Sequence, residues 1–344
     1  MRILITGSSG QIGTNLALRL QQDGHAVFGV DKRLNPWTDA FRYLLQDLSG
    51  PYPPFPGGIG GVEYPPADLV VHLAAHAKVH QLVQQPHRAL ENMVMTFNVL
   101  EYCRLQRVPI VFSSSREVYG DVHRFVTEET SADFAYTEST YSASKIAGEA
   151  LIYSYARCYG LRYLVFRFSN VYGRYDCDLD RMVRVIPLWI HKIQRDEPIT
   201  VYGGTDKILD FTYVDDCVDG FAAGIARLAA GAVVNQTINL AYGQGNTLVH
   251  VAELIGAATG HRPQMTLAPA LLGEVTRYVA DIRKAQDLLG YTPRVPLEEG
   301  IPQAVAWFRE WRSAHPEEDR PLREDPTRSP QGADLGYKAP PPAA

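Results

Sequence analysis

The chain has 344 residues, 46% hydrophobic and 21% charged, with a formal net charge of −5. That is ordinary for a folded globule of one large α/β domain or two intimate lobes. It offers no basic surface for nucleic acid and no run long and apolar enough to cross a bilayer, so neither nucleic acid nor membrane is expected as a partner. The apolar run Ile3-Leu4-Ile5 predicts a strand over 2–6, and Thr6-Gly7-Ser8-Ser9-Gly10-Gln11-Ile12-Gly13 follows at once. Gly7 permits a tight exit from that strand. Gly10 lets the backbone approach a pyrophosphate, and Gly13 lets the next helix, over 11–22, pack close to the sheet. The free N–H groups and dipole of that helix start favour an anion. A second strand, over 26–31, ends in Asp31, about 20 residues past the last glycine, where an acid holds adenosine ribose hydroxyls.

These segments together specify a dinucleotide site of Gly7, Gly10, Gln11, Ile12, Gly13, Asp31 and Lys32. Asp31 would repel a 2′-phosphate, so NAD rather than NADP is expected; Lys32 and Arg33 are the counter-evidence. Asp47 and Leu48 are expected at the adenine end. Residues 50–66 are rich in Pro and Gly and are expected to form a loop.

Further on, strand 68–73, helix 88–105, strand 108–114, helix 141–158 and strand 162–167 alternate. The expected fold is α/β, a Rossmann-type doubly wound parallel sheet with a smaller C-terminal substrate lobe. A polar loop (174–184) and an apolar helix (186–193) open that lobe. The expected division is a dinucleotide domain over 1–173 with some later segments returning to it, a substrate lobe over 174–312, and a disordered Pro-rich tail over 313–344. Cys103, Cys158, Cys177 and Cys217 have no metal spacing, so no metal is expected, and they read as reduced cytoplasmic thiols. The first apolar run reads as a strand and not as a leader.

Tyr141-Ser142-Ala143-Ser144-Lys145 places Tyr141 and Lys145 four apart, on one helix face. A free tyrosine titrates at about 10 and is a poor base at neutral pH. A neighbouring ammonium and a positively charged nicotinamide ring lower that value. Tyr141 would then take the proton from a substrate hydroxyl as hydride leaves the carbinol.

With the glycine turn, His72-Leu73-Ala74-Ala75, Ser113-Ser114-Ser115-Arg116-Glu117-Val118-Tyr119-Gly120, Arg167-Phe168-Ser169-Asn170-Val171-Tyr172-Gly173 and Asp210-Phe211-Thr212-Tyr213-Val214-Asp215-Asp216, the chain resembles the extended short-chain dehydrogenase/reductases. Within them it is similar to the nucleotide-sugar epimerase/dehydratase group, over roughly residues 1–310. The resemblance implies an NAD-dependent enzyme, a nucleotide-diphosphate sugar as substrate, and a homodimer built from helices 88–105 and 141–158. Apolar Met93, Val94, Ile146, Leu151 and Tyr155 would support that interface. It places Leu73, Ala74, Ala75, Lys78, Asn92, Ser113, Lys145 and Phe168 near the cofactor, Lys78 being the looser match. His72 reads as a structural strand-end residue. Ser115 would hydrogen-bond the reacting hydroxyl, and Arg116, Asn170, Arg184, Tyr202, Lys207 and Arg277 would line the substrate. Tyr202 reads equally as a half-buried strand residue.

Glu117 bears on the reaction. The family's dehydratases carry Asp-Glu here, and Arg116 replaces the acid, which an arginine cannot imitate. The family's UDP-glucuronate decarboxylases carry Ser-Glu, with a later arginine whose position falls near Tyr278, beside Arg277. Its 4-epimerases place a small residue or threonine at Glu117. Alternatively, Glu117 only pairs with Arg116. Two arginines that the family uses on the substrate diphosphate are replaced by Leu209 and Leu271. Lys207, Arg277, Arg181 and Arg184 are the cations left to compensate. The expectation is a 4-epimerase. Decarboxylation, dehydration or reduction of a related sugar, and a catalytically silent NAD-bound regulator, remain open.

Overall fold

The structure is a computed structural model, and it describes residues 1–52, 57–120, 127–132, 134, 137–177, 184–271 and 273–316. β1 (Arg2–Thr6) runs through the glycine turn into α1 (Gln11–Gln22), and β2 (Ala26–Asp31) returns parallel to β1, Ile3 opposite Val27. β3 (Arg42–Leu45) extends that edge. The Pro/Gly-rich segment is not wholly a loop: β4 (Gly58–Ile59) and β5 (Val62–Glu63) form a small hairpin in it. β6 (Leu69–His72), α2 (Val79–Gln84), α3 (His87–Gln106), β7 (Ile110–Ser115), α4 (Thr140–Tyr159) and β8 (Tyr163–Phe168) follow.

Then come β9 (Asn170–Tyr172), α5 (Val185–Ile193), β10 (Ile199–Tyr202), β11 (Ile208–Tyr213), α6 (Val214–Ala229) and β12 (Gln236–Leu240). β13 (Gly245–Thr247), α7 (Leu248–Thr259), β14 (Met265–Ala268), β15 (Arg277–Tyr278), α8 (Arg283–Leu289) and α9 (Leu297–Ala314) complete the described chain. The main sheet has seven parallel strands in the order β12-β8-β7-β6-β1-β2-β3. A late strand, β12, thus pairs with β8 in the early sheet. A second sheet is built on β11, which pairs with β9, β13 and β15.

The strands are apolar on both faces because helices cover both. Ile3, Ile5, Val71, Val111 and Phe166 pack in the cluster that includes Leu16 of α1 and Phe221 of α6. Leu4, Val70, Ile110, Phe112 and Val165 pack with Val99 of α3 and Ile152 of α4. β1 has β2 on one side and β6 on the other, so connections leave it in opposite directions. A crevice opens there at the carboxyl ends of the strands, where open α/β sheets bind ligands.

Candidate active site

A cavity of about 500 Å³ occupies that crevice. Gly7, Gly10, Gln11, Ile12 and Gly13 line its floor. Gly7 has φ +73°, and a Cβ there would sit 2.6 Å from the Ala74 nitrogen; a Cβ on Gly13 would sit 2.2 Å from the Gly7 oxygen. Both are therefore required by close backbone approach. α1 starts at Gly10 with no side-chain cap and no acid in its first turn, so its N–H groups face the cavity uncompensated. Ser8 Oγ and Gln11 Nε2 are buried without a hydrogen-bond partner. Asp31 accepts from Ser9 N and Arg33 N, each at 3.0 Å. Lys32, Asp47, Leu48, Leu73, Ala74, Ala75, Lys78, Ser113 and Phe168 also line the cavity. This donor set, with an acid one strand over, fits a dinucleotide pyrophosphate and its adenosine ribose.

Asn92 does not reach the cavity. Its side chain clamps the backbone of His76, accepting from His76 N at 2.7 Å and donating to its oxygen at 3.0 Å. His72 is structural, as expected: its ring is buried between Thr6 and Thr96, and burial pushes its pKa down to about 3.

The chemistry gathers where β7 meets α4. Ser139 caps α4 by accepting from Ser142 N at 3.1 Å, which sets Tyr141 in the first turn. Tyr141 is buried, lines the cavity and hydrogen-bonds Ser115. Lys145 lies one turn on, its Nζ 5.9 Å from the Tyr141 ring centroid and donating to Ser113 O at 2.7 Å. The ammonium is thus turned toward the strand and away from the cavity lining. The expected downward shift of the Tyr141 phenol depends on the nicotinamide ring as well as on Lys145, and the chain's own groups work the other way on this phenol. Burial holds it above the ordinary tyrosine value and Glu117 adds to that, while Ser115 and Arg116 oppose. Burial also pushes Lys145 down to about 8, against the pull of Glu149.

Glu117 is buried at the cavity wall and pairs with Arg116 at 3.0 Å. The Arg116 guanidinium lies 5.9 Å from the Tyr278 ring centroid, with its Nη1 buried and unbonded. Asn170, Arg184, Tyr202 and Lys207 line the substrate half, together with Leu209 and Leu271. Arg184 bonds the Gln11 side chain and pairs with Asp176 at 3.1 Å, which draws it to the glycine turn. Lys207 carries a carboxylate, Glu274, at 2.7 Å. Arg277 lies off the cavity, 3.8 Å from Asp206. Arg181 and the tail from 317 onward lie outside the described residues. Sequence reasoning missed Trp37, Tyr175, Asp176 and Glu274 in the lining. It also missed Glu149, whose spacing of four from Lys145 was the available signal.

The family model described as the NAD dependent epimerase/dehydratase family matches residues 3–46 and 62–241. UDP-glucose 4-epimerase of Mycolicibacterium smegmatis is 30% identical, over 90% of this chain and 99% of that protein. UDP-glucuronic acid decarboxylase 1 of Xenopus tropicalis is 28% identical, over 90% of this chain and 72% of that protein. Among solved structures, UDP-glucose 4-epimerase with UDP-glucose from Thermotoga maritima matches with a TM-score of 0.80 at 28% identity, over 90% of this chain and 99% of that one.

Proposed function

The chain belongs to the NAD-dependent epimerase/dehydratase family, and from that premise we propose that it is a nucleotide-sugar epimerase acting at C4 of a UDP-glucose or UDP-glucuronate type of substrate. The carrying observation is the Ser115–Tyr141–Lys145 cluster at the strand tip beside the glycine turn. NAD, when bound, supplies a reversible hydride acceptor. Gly7, Gly10, Gln11, Ile12 and Gly13 hold its pyrophosphate, Asp31 its adenosine ribose, and Arg184 supports the turn through Gln11.

Tyr141 takes the proton of the C4 hydroxyl and later returns it to the C4 oxygen, once the reoriented sugar has turned its opposite face to the hydride carrier. Ser115 bonds the same oxygen and fixes its position. Lys145 anchors α4 to the strand tip and contributes positive charge beneath the phenol. Lys207 serves the diphosphate in place of the missing arginines, opening its pair with Glu274 to do so. The division into a dinucleotide domain over 1–173 and a substrate lobe over 174–312 is kept with this reading, β12 being the returning segment.

A homodimer through α3 and α4 is part of the proposal, but its apolar surface differs from the expected one. Tyr155 is buried and donates to Glu101 at 2.8 Å, and Ile146 packs beside the Tyr278 cluster. Leu90, Phe97 and Tyr159 are the exposed apolar residues on those helices, 62%, 39% and 59% accessible. A cytoplasmic setting fits the thiols of Cys103, Cys158 and Cys217. Among the described residues no helix is long and apolar enough to cross a membrane.

A decarboxylase is the second reading, and one observation favours it. Arg116 lies over Tyr278, so a guanidinium stands near the place where the resemblance puts the decarboxylases' arginine. The deciding experiment incubates the NAD-loaded protein with UDP-glucose, UDP-galactose and UDP-glucuronate. A C4 isomer supports the first reading; carbon dioxide release from UDP-glucuronate supports the second and rejects the first.

A further inference from the structure

Below the reacting cluster lies a buried ion pair that the mechanism above does not use. Glu149 is buried on α4, one turn past Lys145 and two past Tyr141. Arg167 of β8, also buried, donates to it through Nε at 2.9 Å and Nη2 at 2.6 Å. Ser114 Oγ donates at 2.5 Å and Tyr153 OH at 2.9 Å. Arg167 is fixed in turn by the Glu129 carbonyl and by the Tyr119 ring, whose centroid is 4.9 Å away. Three consecutive serines of β7 therefore meet three residues on one face of α4. Ser113 O takes Lys145, Ser114 Oγ takes Glu149, and Ser115 meets Tyr141. A lone carboxylate on this face would cost far more than a neutral residue; paired and fully bonded, it fixes the helix against the strand in one register.

We propose that Glu149 is a positioning residue: held by Arg167, Ser114 and Tyr153, it sets the register of α4 on β7 and so the placement of Tyr141 and Lys145 in the site. This rests on the reading of Tyr141 as the base. Glu149 also acts through its charge. The groups set against Lys145 are Tyr141 and Glu149 on α4, His72 on β6, and the Phe112 ring and Ser113 carbonyl on β7. Among these, Glu149 is the anion that raises Lys145. Removing its charge makes Lys145 lose its proton at lower pH.

The test compares Glu149→Gln, Ser114→Ala and the charge-neutral double variant Glu149→Gln/Arg167→Met in the NAD-loaded protein. Glu149→Gln alone leaves Arg167 buried and unpaired, and loss of folding there is expected. The double variant has no orphaned charge and keeps the measurement available. Three quantities are read: kcat and KM on UDP-glucose, the pH profile of kcat, and the Lys145 titration by 13C-lysine NMR, assigned with Lys145→Met. Expected in the double variant are a kcat loss of tenfold or more at unchanged KM, an alkaline limb moved to lower pH, and a Lys145 titration moved to lower pH. Ser114→Ala is expected to lower kcat several-fold without changing the melting temperature. Unchanged kcat and unchanged Lys145 titration in the folded double variant overturn the proposal. A wild-type protein that converts no UDP-sugar overturns the functional reading, and a Lys145 titration that still moves in its double variant then supports the positioning one.

Discussion

The Lys145 ammonium donates to the carbonyl oxygen of Ser113 at 2.7 Å, tying the helix that carries Tyr141 to the strand tip that carries Ser115. The strand and helix tips are thus linked by a charge-assisted bond made before any substrate arrives. That preorganisation lets the phenol and the serine hydroxyl approach one sugar oxygen together.

Tyr141→Phe removes the proton acceptor and leaves the packing nearly intact. Turnover should fall roughly 10²–10⁴-fold, the usual size for loss of a general acid–base group, with NAD affinity little changed. Ser115→Ala removes one hydrogen bond and should cost less. Steady-state kinetics with a direct NAD titration checks both, and full activity in Tyr141→Phe would reject Tyr141 as the base.

Asp31 accepts two backbone N–H bonds while facing the cavity, so its carboxylate is held in place. It should favour NAD over NADP. Lys32 is drawn toward Asp47, 3.8 Å away, which works against its meeting a 2′-phosphate. Asp31→Ala should weaken NAD binding and narrow the preference. Tighter NADP than NAD binding by the wild type contradicts the claim.

Much of this was legible in the chain because it is encoded locally. The glycine turn, Asp31 at the end of β2, and the spacing of Tyr141 and Lys145 each lie within a short stretch. β3 was missed because Arg42–Leu45 is half exposed and shows no alternation. α2 was missed because Val79–Gln84 is short and buries only Leu82. Glu149 was missed because its partners come from β7 and β8, which only the fold brings together. Asn92 was placed at the cofactor by the family resemblance and Arg277 at the substrate by its nearness to Tyr278, and their side chains turn elsewhere.

His72 gives a pH dependence of stability. Its folded pKa, about 3, lies below the ordinary value of 6.5. Its contribution is therefore present above pH 6.5 and is lost as pH falls toward 3, at up to about 1.4 kcal/mol per pH unit for one group. His72→Gln should lower the melting temperature at pH 7, because the Thr6 and Thr96 contacts are weakened. It should also flatten the decline between pH 6 and pH 4. Melting curves across that range decide it; an equal acid slope in both proteins rejects the assignment.

Leu90, Phe97 and Tyr159 give the dimer proposal a specific surface. Phe97→Glu combined with Leu90→Glu should yield a monomer by sedimentation, with the fold retained. A monomeric wild type at micromolar concentration removes the proposal.

Glu117 separates the two reactions. It is buried beside Ser115 and paired with Arg116, yet lines the cavity. In a 4-epimerase, hydrogen moves at C4 as hydride, and Glu117 has no proton to remove. Glu117→Gln should then reduce kcat only modestly, because the amide keeps an oxygen for Arg116. The C4 hydrogen should be retained in deuterated solvent. Were Glu117 a base at C5, the same substitution would match the loss in Tyr141→Phe, and solvent deuterium would enter C5. Mass and proton spectra of the product therefore read the role directly. Deuterium at C5, or a product lighter by carbon dioxide or water, would replace the epimerase assignment and leave the role of Tyr141 standing.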